Sequence, residues 1–166
     1  MPQAAEQLEP VQIIATRDQF VTECRKMLLV KWQHQGRSEK GIDCAGLLVV
    51  PALTLGVLQA TDDVTNYGRT PHDDTLTVLL HKHCRRLDDW RTAQPADILA
   101  IKYAGPQPQH LMVVTKSYDV RWGFHVIHAY GNSEMGGSVV EHRLDEGWLK
   151  SVRGKIHAAF HIDGIG

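Results

Sequence analysis

Apolar residues recur along this chain with two different periods, and the change of period near Trp90 divides it into a helical half and a stranded half. Residues 1–15 carry no period and read as an extended leader. From Arg17 to Val30, Phe20, Val21, Cys24, Met27 and Leu28 fall on one stripe, which predicts a helix with Thr16 as N-cap. The polar, aperiodic stretch Trp32 to Gly41 reads as a loop. A buried helix is expected over the apolar run that follows Cys44, with Pro51 inside it to kink or shorten it, because proline removes a backbone donor and crowds the preceding turn. Thr61 to Asp74, with Asn66-Tyr67-Gly68 and Pro71, reads as a long surface connection. Thr75 to Leu87 reads as a third helix turning Leu76, Leu79, Leu80 and His83 or Cys84 inward.

Beyond Trp90 the apolar runs are short and β-type: Ile98 to Ile101, Leu111 to Val114, Phe124 to Tyr130 and Val139-Val140, separated by Gly, Pro, Asn and Asp. Lys155 to Ile162 alternates as a final strand, with Ile156, Ala158, Phe160 and Ile162 on one side, and Leu144 to Val152 reads as a short helix packing Trp148 and Leu149. Helices first and strands second predict an α+β fold, with helices on one face of a small antiparallel sheet.

Composition narrows the class. At 166 residues and 43% hydrophobic the chain can bury one real core but not two ordinary ones, so residues 16–166 are expected to form a single domain. Eighteen basic against nineteen acidic residues leave no electrostatic footprint for nucleic acid or an anionic membrane. An odd count of three cysteines argues against a disulfide framework. The amino terminus has no basic region ahead of an apolar stretch, and Leu47 to Leu55, the longest apolar run, is too short to cross a bilayer. Synthesis in the cytoplasm without a signal peptide is therefore expected.

The chemistry is concentrated at Gly41-Ile42-Asp43-Cys44-Ala45-Gly46-Leu47. This segment sets one cysteine after a glycine-bounded turn and at the start of the second helix. There it faces unpaired backbone N–H groups and the positive end of the helix dipole, both of which favour thiolate, the nucleophilic form. A thiol that hydrolyses amides also needs a base, and a group that holds the base in one tautomer. His110 opens the strand Leu111 to Val114. His128 lies in the next strand of the hairpin, where register could bring it within reach of His110. His125 is the rival for that third position, but stands an odd number of residues away on the opposite strand face. Asp43 reads as an N-cap rather than an acid/base group. His81-Lys82-His83-Cys84 invites a zinc reading, yet His81 and His83 diverge on a helix and no second ligand cluster is obvious. Cys24 and Cys84 lie on apolar stripes and read as core, and Arg85-Arg86 as a solvated helix end. Tyr67 and Tyr130 could line a groove or pack in the core.

In order along the chain, these segments resemble the NlpC-type cell-wall cysteine peptidases, a papain-like group. Gly41 to Leu47 is similar to the family's nucleophile motif, and Pro95-Ala96-Asp97-Ile98-Leu99 to its Pro-Gly-Asp-Leu/Ile start of the first sheet strand. His110-Leu111-Met112-Val113-Val114 resembles its base strand, and Val126-Ile127-His128-Ala129 the strand with the third polar residue. His34-Gln35-Gly36-Arg37-Ser38, and His128 to Gly131 followed by Val139 to Leu144, are similar to the bacteriophage-tail and gene-transfer-agent branch. The resemblance implies a papain-like fold with the nucleophile at a helix N-terminus. It implies cleavage of the γ-D-glutamyl–diamino acid amide of peptidoglycan stem peptides, with Cys44 attacking, His110 as base and acid, and His128 orienting His110. No metal or organic cofactor is implied. Where the family carries an oxyanion-side tyrosine this chain has Trp32, so Trp32, His34, Gln35 and Asp43 are the candidates for lining the oxyanion and substrate side. The branch implies partners among phage tail proteins and a tail-delivered route to the wall. A tail-tip protein without useful activity, or an amidase or acyltransferase of the same fold, remain as alternatives.

Overall fold

The computed structural model describes residues 11–68, 74–132 and 136–166. The first ten leader residues and Pro71 of the surface connection lie outside them. At the near end, Ile14 and Ala15 both donate to the Gly164 carbonyl, at 2.8 and 3.1 Å, which ties residues 14 and 15 to the carboxyl end.

Helix α1 spans Arg17–Arg25 and opens on a capping box, in which Thr16 accepts from the Gln19 N–H while the Gln19 side chain takes the Thr16 N–H. Phe20, Val21 and Cys24 are its buried stripe. The expected extension to Val30 does not form. Leu29 instead takes a left-handed φ of 68°, and the Leu29 N–H and Val30 carbonyl bond to Val139 at 3.0 and 2.9 Å. Backbone pairing with a distant strand has overridden helical periodicity. The segment that read as a loop contains a small hairpin, β1 (Arg37–Ser38) against β2 (Gly41–Ile42).

Helix α2 covers Gly46–Thr54 and retains Pro51 inside it. Pro51 has no N–H for the carbonyl four residues back, that of Leu47. The Cys24 thiol fills the gap, donating to the Leu47 carbonyl at 3.7 Å, so the missing bond is replaced by one between α1 and α2.

Helix α3 (Thr75–His83) stops before the expected Leu87, and Cys84–Arg86 forms strand β3. Arg85 and Arg86 thus sit on a sheet edge strand rather than a helix end. Strands β4 (Ile98–Lys102), β5 (His110–Asp119), β6 (Gly123–Asn132), β7 (Gly136–Leu144) and β8 (Lys155–Ile162) complete an antiparallel sheet of order β3-β8-β4-β5-β6-β7.

Both faces of this sheet are covered, where only one was expected to be. Helices α1 to α3 pack on Ile98, Leu111, Val113, Ile127 and Phe160. The opposite face packs Leu99, Met112, Val126 and Phe124 under Trp90 and under Trp148 of the short helix α4 (Glu146–Ser151). Each fully buried Phe, Ile or Leu here contributes about 1.5–3 kcal/mol. A bulge at His157, where pairing jumps from Ala100–Ala158 to Ile101–Ile156, carries Ile156 to the second face, away from Ala158, Phe160 and Ile162.

Candidate active site

The turn that presents Cys44 is built by Asp43. The Asp43 carbonyl accepts the Leu47 N–H at 3.0 Å and its Oδ1 accepts the Gly46 N–H at 2.8 Å, an N-cap in all but name of the element's first residue. Arg37 donates to Oδ1 at 3.1 Å, while the Gln35 N–H and the Tyr67 hydroxyl donate to Oδ2 at 2.7 and 2.6 Å. Both oxygens of this buried carboxylate are therefore engaged within the fold. Arg37 is itself shared with Asp63 at 3.0 Å. Glycine is required at position 46, because a Cβ there would meet the Gly36 carbonyl and the Ile42 side chain. The β1–β2 hairpin thus lies directly against the start of α2 and holds Cys44 in place.

Cys44 is half-buried and lines a cleft of about 460 Å³ together with His110, Trp32, His34, Tyr103 and Tyr130. Of the sequence candidates, Cys44, His110, Trp32, His34 and Asp43 meet at this cleft. His34 packs edge-on against Tyr67, centroids 5.6 Å apart. Gln35 is not among the lining residues; its side chain donates to the Tyr67 carbonyl at 2.8 Å, in a structural role.

His128 stands behind His110 rather than in the cleft. Its Nδ1 lies 2.6 Å from Nε2 of His110, and its ring has no solvent exposure. The β5–β6 register explains this. Val113 pairs with Ile127 and Val114 with Val126; continued by one residue, it sets His128 across from Met112, with His110 as its diagonal neighbour. Tyr130 and Trp148 confine the His128 ring, at centroid distances of 5.3 and 5.7 Å. His125 pairs with Arg143 and Lys116 and takes no part.

Burial acts against charge on both Cys44 and His110. It pushes the Cys44 thiol up to about 12, helped by the Asp43 carboxylate, while hydrogen bonding from the backbone of Leu111, Ala45 and Cys44 acts the other way. Burial also lowers His110 to about 4, against the pull of Asp43, and lowers His128 further still. Burial and the Asp43 carboxylate thus act against the thiolate that the helix terminus favours.

Sequence reasoning passed over Tyr103, Gln109 and Ser151, which also line the cleft; only the sheet and α4 bring them there. His81 packs edge-on against Phe160 at 5.5 Å and His83 faces Asp62 at 4.0 Å, so the two diverge. Among the described residues no group of three or more His, Cys, Asp or Glu converges as a metal ion would require.

No protein-family profile and no curated protein matches the chain. Among solved structures, it is similar to the crystal structure of the NlpC/p60 domain of the peptidoglycan hydrolase SagA. The TM-score is 0.58 at 14% identity, over 89% of this chain and 100% of that one. At that identity the likeness is one of fold. The protein is an α+β protein of the NlpC/p60, papain-like fold, with a cysteine at the start of a helix and a histidine at the start of a strand sharing one cleft.

Proposed function

We propose that this protein is a cysteine peptidase that hydrolyses an amide bond of peptidoglycan stem peptides, the γ-D-glutamyl–diamino acid bond being the favoured target. The observation that carries the reading is the pairing of Cys44 with His110 in one cleft, with Nε2 of His110 held by a fully buried imidazole. The likeness of fold to a peptidoglycan hydrolase domain supports the substrate class.

In this mechanism the Cys44 thiol gives its proton to His110 as sulfur attacks the scissile carbonyl. Backbone N–H groups of the first helical turn, that of Cys44 included, have no acceptor within the helix and stabilise the oxyanion, with Trp32 and His34 beside them. The imidazolium then protonates the leaving amine, and a water activated by the same ring releases the acyl group from sulfur. A transfer concerted with attack suits a site whose burial disfavours charge on both partners.

Delivery as a component of a phage tail is the accompanying proposal. It rests on the motif resemblance at His34 to Ser38 and His128 to Leu144, and detection of the protein in purified virions tests it.

The deciding experiment is digestion of purified peptidoglycan by wild type and Cys44→Ala, with mass spectrometry of the soluble products. Fragments ending in γ-D-glutamate, released by wild type only, are expected. Free stem peptides would make it an amidase, and no release by either protein would favour a structural tail-tip protein.

A further inference from the structure

The hydrogen-bond chain behind the cleft does not stop at His128. Nε2 of His128 lies 2.8 Å from Nε2 of His142 on β7, and Nδ1 of His142 lies 2.7 Å from the backbone carbonyl of Arg143. Register accounts for the meeting: His142 pairs with Val126, two residues from His128 on the same face of β6.

A carbonyl oxygen can only accept, so His142 must carry a proton on Nδ1. The Nε2 of a neutral His142 then offers a lone pair, and His128 must donate to it from its own Nε2. His128 is left with a lone pair on Nδ1, so His110 must donate from Nε2, 2.6 Å away. What remains on His110 is a bare Nδ1, the one ring nitrogen free to take the thiol proton. Reversing any single tautomer would set two lone pairs, or two N–H groups, against each other.

We propose that His142 is a positioning residue: anchored on the Arg143 carbonyl, it sets the tautomers of His128 and His110 and keeps Nδ1 of His110 unprotonated for Cys44. The proposal rests on the assignment of Cys44 and His110 as nucleophile and base. Burial disfavours charge on both inner rings, in keeping with the tautomer order that the hydrogen bonds impose before substrate arrives. Trp148 holds the geometry, lying 5.1 Å from the His142 ring at 36° and edge-on to His128. Asp145 caps α4 by accepting the Trp148 N–H at 2.9 Å, which fastens that indole beside β7. Where a side-chain amide or carboxylate would usually orient the base, a backbone oxygen does so here, through two intervening imidazoles.

Long-range ¹H–¹⁵N spectra of the imidazole rings of wild-type protein at pH 8, above the usual imidazole range, read the tautomers without substrate. Protons on Nε2 of His110 and His128 and on Nδ1 of His142 are expected; a proton on Nδ1 of neutral His110 overturns the proposal. His142→Phe should give His110 a mixture of tautomers, and should lower both kcat and the iodoacetamide alkylation rate of Cys44 at least about tenfold with KM unchanged. His142→Gln should restore most of the rate, because its amide oxygen accepts from His128 while its NH2 donates to the carbonyl. His142→Lys, a donor only, should not. Equal effects of Gln and Lys would reduce His142 to packing and overturn the proposal. Should His142→Phe fail to fold, the wild-type spectra decide. Neither the spectra nor alkylation needs peptidoglycan, so a failure of the substrate reading shows separately.

Discussion

Ala96 has a left-handed φ of 75° and is almost wholly buried. It occupies the central position of Pro95-Ala96-Asp97, where the resembling family has glycine. Its N–H bonds the Val114 carbonyl at 2.9 Å, and the next residue, Asp97, binds Arg17 and His161 at 2.8 and 2.9 Å, pinning α1 to β4 and β8. The conformation is therefore over-determined by its neighbours. Left-handed backbone costs an L-residue about 1–2 kcal/mol, whereas glycine would lose about 0.5–1 kcal/mol in chain entropy and about 0.8 kcal/mol for a buried methyl. These nearly cancel. Ala96→Gly should leave stability within about 0.5 kcal/mol of wild type, while Ala96→Val, branched in a region that rejects it, should cost more than about 2 kcal/mol. Urea unfolding of the two variants checks this, and a large gain from glycine would refute it.

Between elements, the thiol of Cys24 replaces a donor that Pro51 removes from α2. Truncating Cys24 to alanine should cost about 1–3 kcal/mol, because it leaves the Leu47 carbonyl buried without a partner. In a Pro51→Ala background the restored N–H can serve that carbonyl, so the cost should fall by at least about 0.5 kcal/mol. A double-mutant cycle in urea reads the coupling; additive effects would show that α1 and α2 are joined by packing alone. The early end of α1 belongs to the same scale. Met27 and Leu28 continue its stripe, but Leu29 and Val30 are drawn into hydrogen bonds with Val139, a partner more than a hundred residues away in sequence.

For the whole molecule, the buried titratable groups set a window of stability. An imidazole lowered on folding leaves the unfolded chain holding more protons below its ordinary pKa. Stability is therefore full above pH 6.5 and is lost as pH falls from there towards about 4, the value of His110. At 1.4 kcal/mol per pKa unit, His110 alone accounts for about 3–4 kcal/mol, and His128 adds to it with the same sign. Thiols act at the other end. Cys44 and Cys84, raised from 9.0 to about 12, stay protonated in the folded state where the unfolded chain ionises, so stability falls as pH rises above 9.0. Unfolding free energies should be highest between about pH 7 and 9 and fall on both sides. A free energy that stays level from pH 7 down to 4 would contradict the burial of these rings as neutral species.

The order of α1 to α4 and of β4 to β8, the buried stripes of α1 and α3, and the placing of Cys44 and His110 at element starts were all legible in the sequence. Periodicity and capping are local, and an N-cap aspartate beside a cysteine announces itself within a few residues. What depended on distant partners was not legible. The three-residue strand β3, the face switch at Ile156, the second covered face of the sheet and the engagement of Asp43 by Arg37 and Tyr67 all follow from strand register or from packing between remote segments. His142 is the sharpest case. It lies just past the short β-type run Val139-Val140, and only the β5–β6–β7 register lines it up with His128 and His110. The surroundings of Cys44 were likewise set by tertiary structure: a helix terminus favours thiolate wherever it occurs, whereas the burial and the Asp43 carboxylate that oppose it come only with the assembled fold.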